Sequence, residues 1–333
     1  MKDIQNYSLL AHNTFGIDAK CLRFLEYSNE AEAIEAARIV RESGLPFIII
    51  GGGSNLLLTH DFQGIVVHSA CKGIRRVGNT LLCGSGEVFD DVVAESLRQG
   101  LSGAENLSLI PGDVGASAVQ NIGAYGVEVK DLIAEVHAVE IATGRLCIIS
   151  RDDCQYGYRQ SRFKNEWKNR FLITMVVYEF ESIFLPRLDY GNIRSELERQ
   201  GISQPTAQQL RQVIIDIRRA KLPDPQELGN AGSFFMNPVV SRQQYEALAA
   251  QYPGMPHYTV DENHEKIPAG WMIDQCGWKG RSLGPAGVHD RQALVLVNRG
   301  GATGADIVRL CQTIQHDVQQ RFGILIHPEV NMI

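Results

Sequence analysis

The chain has 333 residues, about twice the usual domain of ~150, so two domains are expected, each able to bury its own core. Hydrophobic residues at 44%, charged residues at 21% and a mean hydropathy of -0.12 exclude disordered, collagen-like and membrane-embedded chains. With 38 acidic against 32 basic residues the net charge is -6, which supplies no diffuse basic surface for nucleic acid or an anionic membrane, so any anionic ligand is expected to be held locally. The one skewed count is glycine, 32 residues or about 10% against a typical ~7%, and it is clustered.

The amino-terminal residues MKDIQNYSLLAHNTFG contain no apolar h-region, and runs such as Phe47 to Ile50 and Ala293 to Val297 fall far short of the ~20 residues that span a bilayer, so a cytoplasmic location is expected. Seven cysteines with no C-x-x-C suggest buried thiols rather than disulfides or zinc. His257, His264 and His289 lack the H-x-x-x-H spacing of a helical site, and no metal is expected.

In chain order, the spacing of apolar residues predicts a helix from Asn29 to Ser43 stopped by Gly44, then a buried strand Phe47 to Ile50. A tight turn, Gly51-Gly52-Gly53-Ser54-Asn55, and a strand Ile65 to His68 complete a small α/β unit. Leu81 to Gly84 and a helix from Phe89 to Gln99 lead to the densest glycine segment, Ile110 to Gly126. Strands Glu135 to Ile141 and Leu146 to Ile149 form a hairpin through Ala-Thr-Gly-Arg, and strands continue to about Phe180. The pattern loosens around Pro186 to Pro205. A helix from Thr206 to Arg219 opens on a capping box with Gln209, and the main domain boundary is placed near here. Beyond it come a helix from Ser241 to Gln251, a Pro/Gly-rich loop, a strand Ala293 to Val297, a helix Ala305 to Phe322 stopped by Gly323, and a last strand Ile324 to His327.

Four segments hold candidate chemistry. The Gly51 to Asn55 turn fails the G-x-G-x-x-G test because Leu56 stands at the third glycine, and no G-K-[ST] occurs, which leaves a backbone nest for a pyrophosphate or a purely structural turn. In Ile110 to Gly126 the small residues suit either main chain lying against a ligand or a tightly packed crossover. Tyr156 to Lys164 carries three cations and two phenols, read either as a solvated edge strand or as a face where Arg159 meets a carboxylate or phosphate. In Asn230 to Phe235 the hydroxyl of Ser233 stands over two aromatics without the G-x-S-x-G of a nucleophile elbow, so a proton donor or ligand contact remains open.

These segments, in this order, closely resemble the UDP-N-acetylenolpyruvoylglucosamine reductase family of flavoproteins of bacterial cell-wall precursor synthesis. The match runs from Asn13-Thr14-Phe15-Gly16 through GGGSNLLL, IPGDVGASAVQNIGAYGVEV, CQYGYRQSRFK, DYGNI, KLPDP, NAGSFFMNPVV, AGWMIDQCG, HDRQALVLVN and HPEV, nearly the whole chain. The DYGNI segment looks like the type I branch. Asp113, Ala118 and Met236 depart from the family pattern, the last removing a lysine often found beside Asn237.

The resemblance implies an α+β chain: an FAD-binding domain of the vanillyl-alcohol-oxidase (PCMH) type over residues 13–185, in two α/β subdomains of about 1–70 and 71–200, followed by a C-terminal α+β substrate-binding domain over 206–333. It implies that Gly51, Gly52, Gly53, Ser54 and Asn55 hold FAD, together with Ile110, Pro111, Gly112, Gly115, Ala116, Ser117, Asn121, Gly123, Ala124 and Tyr125. The resemblance further implies that NADPH reduces the flavin, leaves, and is replaced by the UDP-sugar. On this resemblance Arg159 stabilises charge on the substrate, Glu329 assists, and Ser233 delivers a proton. Tyr190, Lys221, Asn237 and Gln292 resemble UDP and diphosphate contacts, with Arg218 a further candidate. No obligate protein partner is expected. An FAD-linked oxidase of the same fold and a non-catalytic flavin or nucleotide-sugar binder are the alternatives.

Overall fold

Asn29 opens the first helix by accepting the amide of Glu32 at 2.9 Å, and Gly44 closes it at φ 63°, so Glu30–Ser43 begins and ends where its capping residues stand. Its buried stripe, Ala33, Ala36, Ala37, Ile39 and Val40, packs on the strands Lys20–Tyr27, Phe62–Ser69 and Phe47–Ile50, which run parallel. With Lys2–Ser8 at the edge they form a four-stranded sheet. The computed structural model describes all 333 residues and divides them into two compact units, one of residues 1–7, 20–52 and 62–220, the other of 8–19, 53–61 and 221–333.

The first unit holds a second sheet of five antiparallel strands in the order Leu146–Ser150, Ile133–Glu140, Phe171–Glu179, Thr80–Gly84, Ile74–Val77. The expected hairpin between Glu140 and Arg145 is present, with Gly144 at φ 73°. Leu81, Cys83, Val136, Ala138 and Val176 bury one face of this sheet against Phe89, Val92 and Val93 of the helix Phe89–Arg98. Each of the buried Leu, Val and Phe side chains contributes about 1.5–3 kcal/mol. The glycine-rich stretch from residue 110 contains a helix, Val114–Gln120, ended by Asn121 in the left-handed conformation. Small residues close to the sheet permit two turns of helix within what composition left as either ligand-facing main chain or a packed crossover.

Thr206 and Gln209 exchange the predicted capping bonds, at 2.9 and 3.2 Å, ahead of the helix Ala207–Lys221. Leu210, Val213, Ile214 and Ile217 bury against Ile193 and Leu197 of a short helix, Ile193–Arg199, in the region where the pattern had loosened. Seven residues with two buried apolar positions carry too little periodicity to be read.

In the second unit Gly229–Ser233, Val295–Asn298, Ala286–Val288 and Ser282–Leu283 make an antiparallel sheet, packed by the helix Gly304–Phe322. Thr303 and Asp306 form that helix's capping box, and Gly323 ends it at φ 66°. The expected last strand, Ile324 to His327, is absent. Its residues alternate between buried Ile324 and Ile326 and exposed Leu325, but the Gln315 side-chain amide donates to the Ile326 carbonyl at 2.8 Å and backbone pairing begins only at His327, with an isolated bridge at Pro328. The terminal strand is Asn331–Met332 instead, parallel to Leu56–Leu57. A further helix, Ala269–Gln275, occupies part of the expected Pro/Gly-rich loop. All seven cysteines are free and five are buried. No helix is long and apolar enough to cross a membrane.

Candidate functional site

The turn after Phe47–Ile50 is the first predicted cradle, and its glycines are there for space. A Cβ on Gly51 would lie 2.9 Å from the Cβ of Ala116, and one on Gly52 would lie 3.0 Å from Asp113 Oδ1. Sequence-distant residues 51, 52, 113 and 116 are therefore brought together. The Asp113 carboxylate points at His68, whose Nε2 is 3.6 Å away, and the other ring nitrogen lies 3.1 Å from Glu26. Gly115 packs on Ser85, and its amide donates to the Ser85 carbonyl at 2.8 Å. The Ser117 hydroxyl is turned inward, donating to Val114 O at 2.7 Å beside the Tyr178 hydroxyl at 2.7 Å.

The remainder of the stretch is fixed through its main chain. Ile110 is buried, Gly112 has φ 114° and accepts the Phe89 amide, and Pro111 is exposed. Asn121, fully buried at φ 45°, donates from its side chain to Gly157 O at 2.7 Å and accepts from Lys130 N at 3.2 Å. Gly123 and Ala124 pair with Val127 and Glu128.

Arg159 is not on an edge strand. It sits in a turn in which Gly157 and Gln160 exchange amide bonds at 3.0 Å, with its own φ at 55°. Its guanidinium donates to Gly123 O at 2.6 Å and Asn121 O at 3.4 Å, which aims it along the glycine-rich stretch. Tyr125, at φ 49°, meets the exposed ring of Tyr190 edge to face at 6.5 Å. Burial raises the Tyr125 hydroxyl above the ordinary phenol range. Burial also lowers the affinity of Arg218 for its proton, despite the nearby Tyr125 and Asp90, and its Nε has no hydrogen-bond partner.

In the second unit, Gly53 has φ 68° and a Cβ there would fall 2.0 Å from His12 O, so only glycine fits. Ser54 follows half-buried, and Asn55 donates to Glu329 O at 3.5 Å. Ser233 is exposed, just after Gly232 at φ 68°. From Phe234 to Met236 the chain pairs with His327 to Glu329: Glu329 N donates to Phe234 O at 2.8 Å and Met236 N to His327 O at 2.9 Å. Ser233 and Glu329 are thereby on adjoining backbones. Asn237 Oδ1 accepts the Ala269 amide at 2.9 Å, and a Cβ on Gly270 would lie 3.3 Å from Gln292 Oε1, so the start of the helix Ala269–Gln275 joins Asn237 to Gln292. Lys221 ends its helix, exposed. Sequence reasoning passed over Gly270, which has no flanking glycine motif to mark it.

A flavin cofactor fits the first unit on two observations: Arg218 Nε, a donor, and Gln120 Oε1, an acceptor, are both buried without a partner in the protein.

Comparison with known proteins agrees. Residues 22–150 match the family described as "FAD binding domain", and residues 224–333 match "UDP-N-acetylenolpyruvoylglucosamine reductase, C-terminal domain". The chain is 52% identical over 338 residues to the UDP-N-acetylenolpyruvoylglucosamine reductase of Bacteroides fragilis, covering 99% of each, and 46% identical over 333 residues to that of Paraburkholderia xenovorans, covering 98% of this chain and 96% of the relative. The crystal structure of the Thermus caldophilus UDP-N-acetylenolpyruvylglucosamine reductase shares the fold at a TM-score of 0.67 and 21% identity, covering 99% of this chain and 98% of that one. The expected flavin-binding domain of the PCMH type followed by a reductase C-terminal domain is the fold found, and the chain belongs to the UDP-N-acetylenolpyruvoylglucosamine reductase family.

Proposed function

We propose that the chain reduces UDP-N-acetylenolpyruvoylglucosamine to UDP-N-acetylmuramate with NADPH as electron source, as a cytoplasmic, type I member of its family. It is an FAD-dependent oxidoreductase of peptidoglycan precursor synthesis. In this reading residues 13–185 serve the flavin and residues 206–333 the nucleotide sugar. FAD, when bound, passes on as hydride the electron pair taken from NADPH. Gly51 to Asn55 and the stretch from Ile110 to Tyr125 hold it by main chain, and Tyr190, Arg218, Lys221, Asn237 and Gln292 hold the UDP and diphosphate.

Hydride reaches the terminal vinyl carbon of the substrate, and the electron pair of the double bond moves toward the attached carboxylate. Arg159, aimed by two carbonyls, supplies positive charge and donors to that carboxylate as it gains electron density. Ser233 gives its hydroxyl proton to the adjacent carbon, which completes the saturated lactyl ether, and Glu329 assists Arg159 in stabilising the charge. A serine hydroxyl is a weak acid, but a carbanion-like carbon is a strong base, so a positioned donor suffices. The observation that supports this reading is the pairing of Phe234 to Met236 with His327 to Glu329, which brings together the two backbones that carry Glu329 and the exposed Ser233.

The test is spectroscopic. The purified protein is expected to be yellow, bleached by NADPH without oxygen, and recoloured by the enolpyruvyl nucleotide sugar. Flavin that is reduced but never reoxidised by that substrate refutes the assignment. Rapid reoxidation by oxygen in its place marks an oxidase.

A further inference from the structure

Asn106 lies in a single turn of 3-10 helix, Glu105–Leu107, and is 2% exposed. Its side-chain amide donates to two main-chain carbonyls, Tyr125 O at 2.8 Å and Arg187 O at 3.0 Å. An amide NH2 group has two hydrogens, so both are used. The carbonyls belong to segments 19 and 81 residues away along the chain. One is in the glycine-rich stretch, at a tyrosine whose φ of 49° is unfavourable for a side chain of that size and persists only where its surroundings impose it. The other precedes Tyr190 in the segment that presents it.

Three more contacts lie on the same line. The rings of Tyr125 and Tyr190 cross at 90°. A Cβ on Gly126, at φ 80°, would be 3.5 Å from Tyr190 Cβ, so the two segments run in ordinary contact. Arg187 Nη1 stands 3.7 Å from Asp131. Both ends of the amide's reach are thus packed, and the Asn106 side chain bonds to both carbonyls at once.

We propose that Asn106 is a positioning residue that registers the Tyr190 segment against the glycine-rich stretch and so sets the affinity for the uridine diphosphate group. The inference rests on the reading of Tyr190 as a nucleotide contact. Without the amide, two carbonyls lose their buried donor and the segment from Arg187 to Tyr190 is drawn toward water, carrying the Tyr190 ring out of place.

The experiment is a double-mutant cycle on the oxidised, FAD-loaded protein, titrated calorimetrically with UDP: wild type, Asn106→Ala, Tyr190→Ala and the pair. Each single change is expected to weaken UDP by about tenfold, and the double variant is expected to be no weaker than Tyr190→Ala, because Asn106 acts through that ring. A purely structural role lowers affinity whether or not Tyr190 is present, so losses that multiply to about a hundredfold overturn the proposal. Unchanged affinity in Asn106→Ala overturns it as well. If Tyr190→Ala binds UDP like wild type, the parent reading of Tyr190 fails instead. Should Asn106→Ala not fold, Asn106→Gln, which keeps the amide and displaces it by one methylene, carries the same cycle with the same outcomes.

Discussion

The stretch from Glu105 to Glu128 and the paired segments at 233–237 and 327–329 are built on opposite plans. In the first, three of the seven non-glycine residues with positive φ, Leu109, Asn121 and Tyr125, fall within a short span, and side chains are spent on holding backbone: Asp90 takes the Leu109 amide at 2.5 Å, Asn121 holds Gly157, and Asn106 holds Tyr125. In the second, the backbone is ordinary antiparallel pairing and the side chains of Ser233 and Glu329 are what it offers. Main chain serves as the instrument in one region and as the bench in the other. The first plan leaves a mark in composition; the second leaves only single residues.

The sharpest way to break the comparison is Ser233→Ala. If the second region works through its side chains, turnover falls by about two to four orders of magnitude while flavin reduction by NADPH is unchanged, as rapid mixing of the two half-reactions can show. Equal slowing of both half-reactions contradicts the role. Next is Gly51→Ala, which places a Cβ 2.9 Å from that of Ala116 without demanding a positive φ. Overpacking of this kind costs about 1–3 kcal/mol, or roughly five- to 150-fold in FAD affinity by fluorescence titration. A variant that keeps its FAD affinity removes the case for a main-chain cradle.

Asn237→Ala tests whether a side chain in the second region is doubly used. It removes the cap of Ala269 and is expected to lower stability by about 1 kcal/mol in chemical denaturation, along with weaker UDP binding. Loss of stability with UDP affinity intact leaves only the cap.

The smallest effect concerns Glu105, whose carboxyl is raised above its ordinary range by burial, against the amide of Gly103 at 2.9 Å. An acid with a raised folded pKa holds more protons folded than unfolded once pH exceeds its ordinary value of about 4.5, so stability falls as pH rises from there to the folded value. Glu105→Gln should flatten that fall, read as a smaller difference in urea midpoint between acid and neutral pH. An unchanged difference means the carboxylate is not desolvated as its burial implies.

What could be read beforehand follows the same division. Caps at Asn29, Thr206, Gly44 and Gly323 are local chemistry, and the helices they bound were legible to within a residue or two. The helix Ala269–Gln275 was not, because its capping oxygen comes from Asn237, 32 residues earlier. The missing strand at 324–327 shows the same limit: its alternation of buried and exposed residues was visible, but the Gln315 amide that occupies the Ile326 carbonyl was not. Glycine clustering pointed to the stretch after Ile110, yet nothing local distinguishes Asn106 from a surface asparagine. Arg159, Ser233 and Glu329 entered as a set only through resemblance to a family, since three single residues far apart carry no pattern of their own.

The strand Asn331–Met332 has a consequence in time. It pairs with Leu56–Leu57, directly after the Gly53 to Asn55 turn, and Asn331 reaches back 276 residues to the Asn55 carbonyl. Thr14 likewise waits 216 residues for the Asn230 carbonyl it holds at 2.6 Å. At a synthesis rate of about 5–20 residues per second, residues 53–57 wait roughly 14–55 s before their partner strand is made, so this part of the protein is completed late.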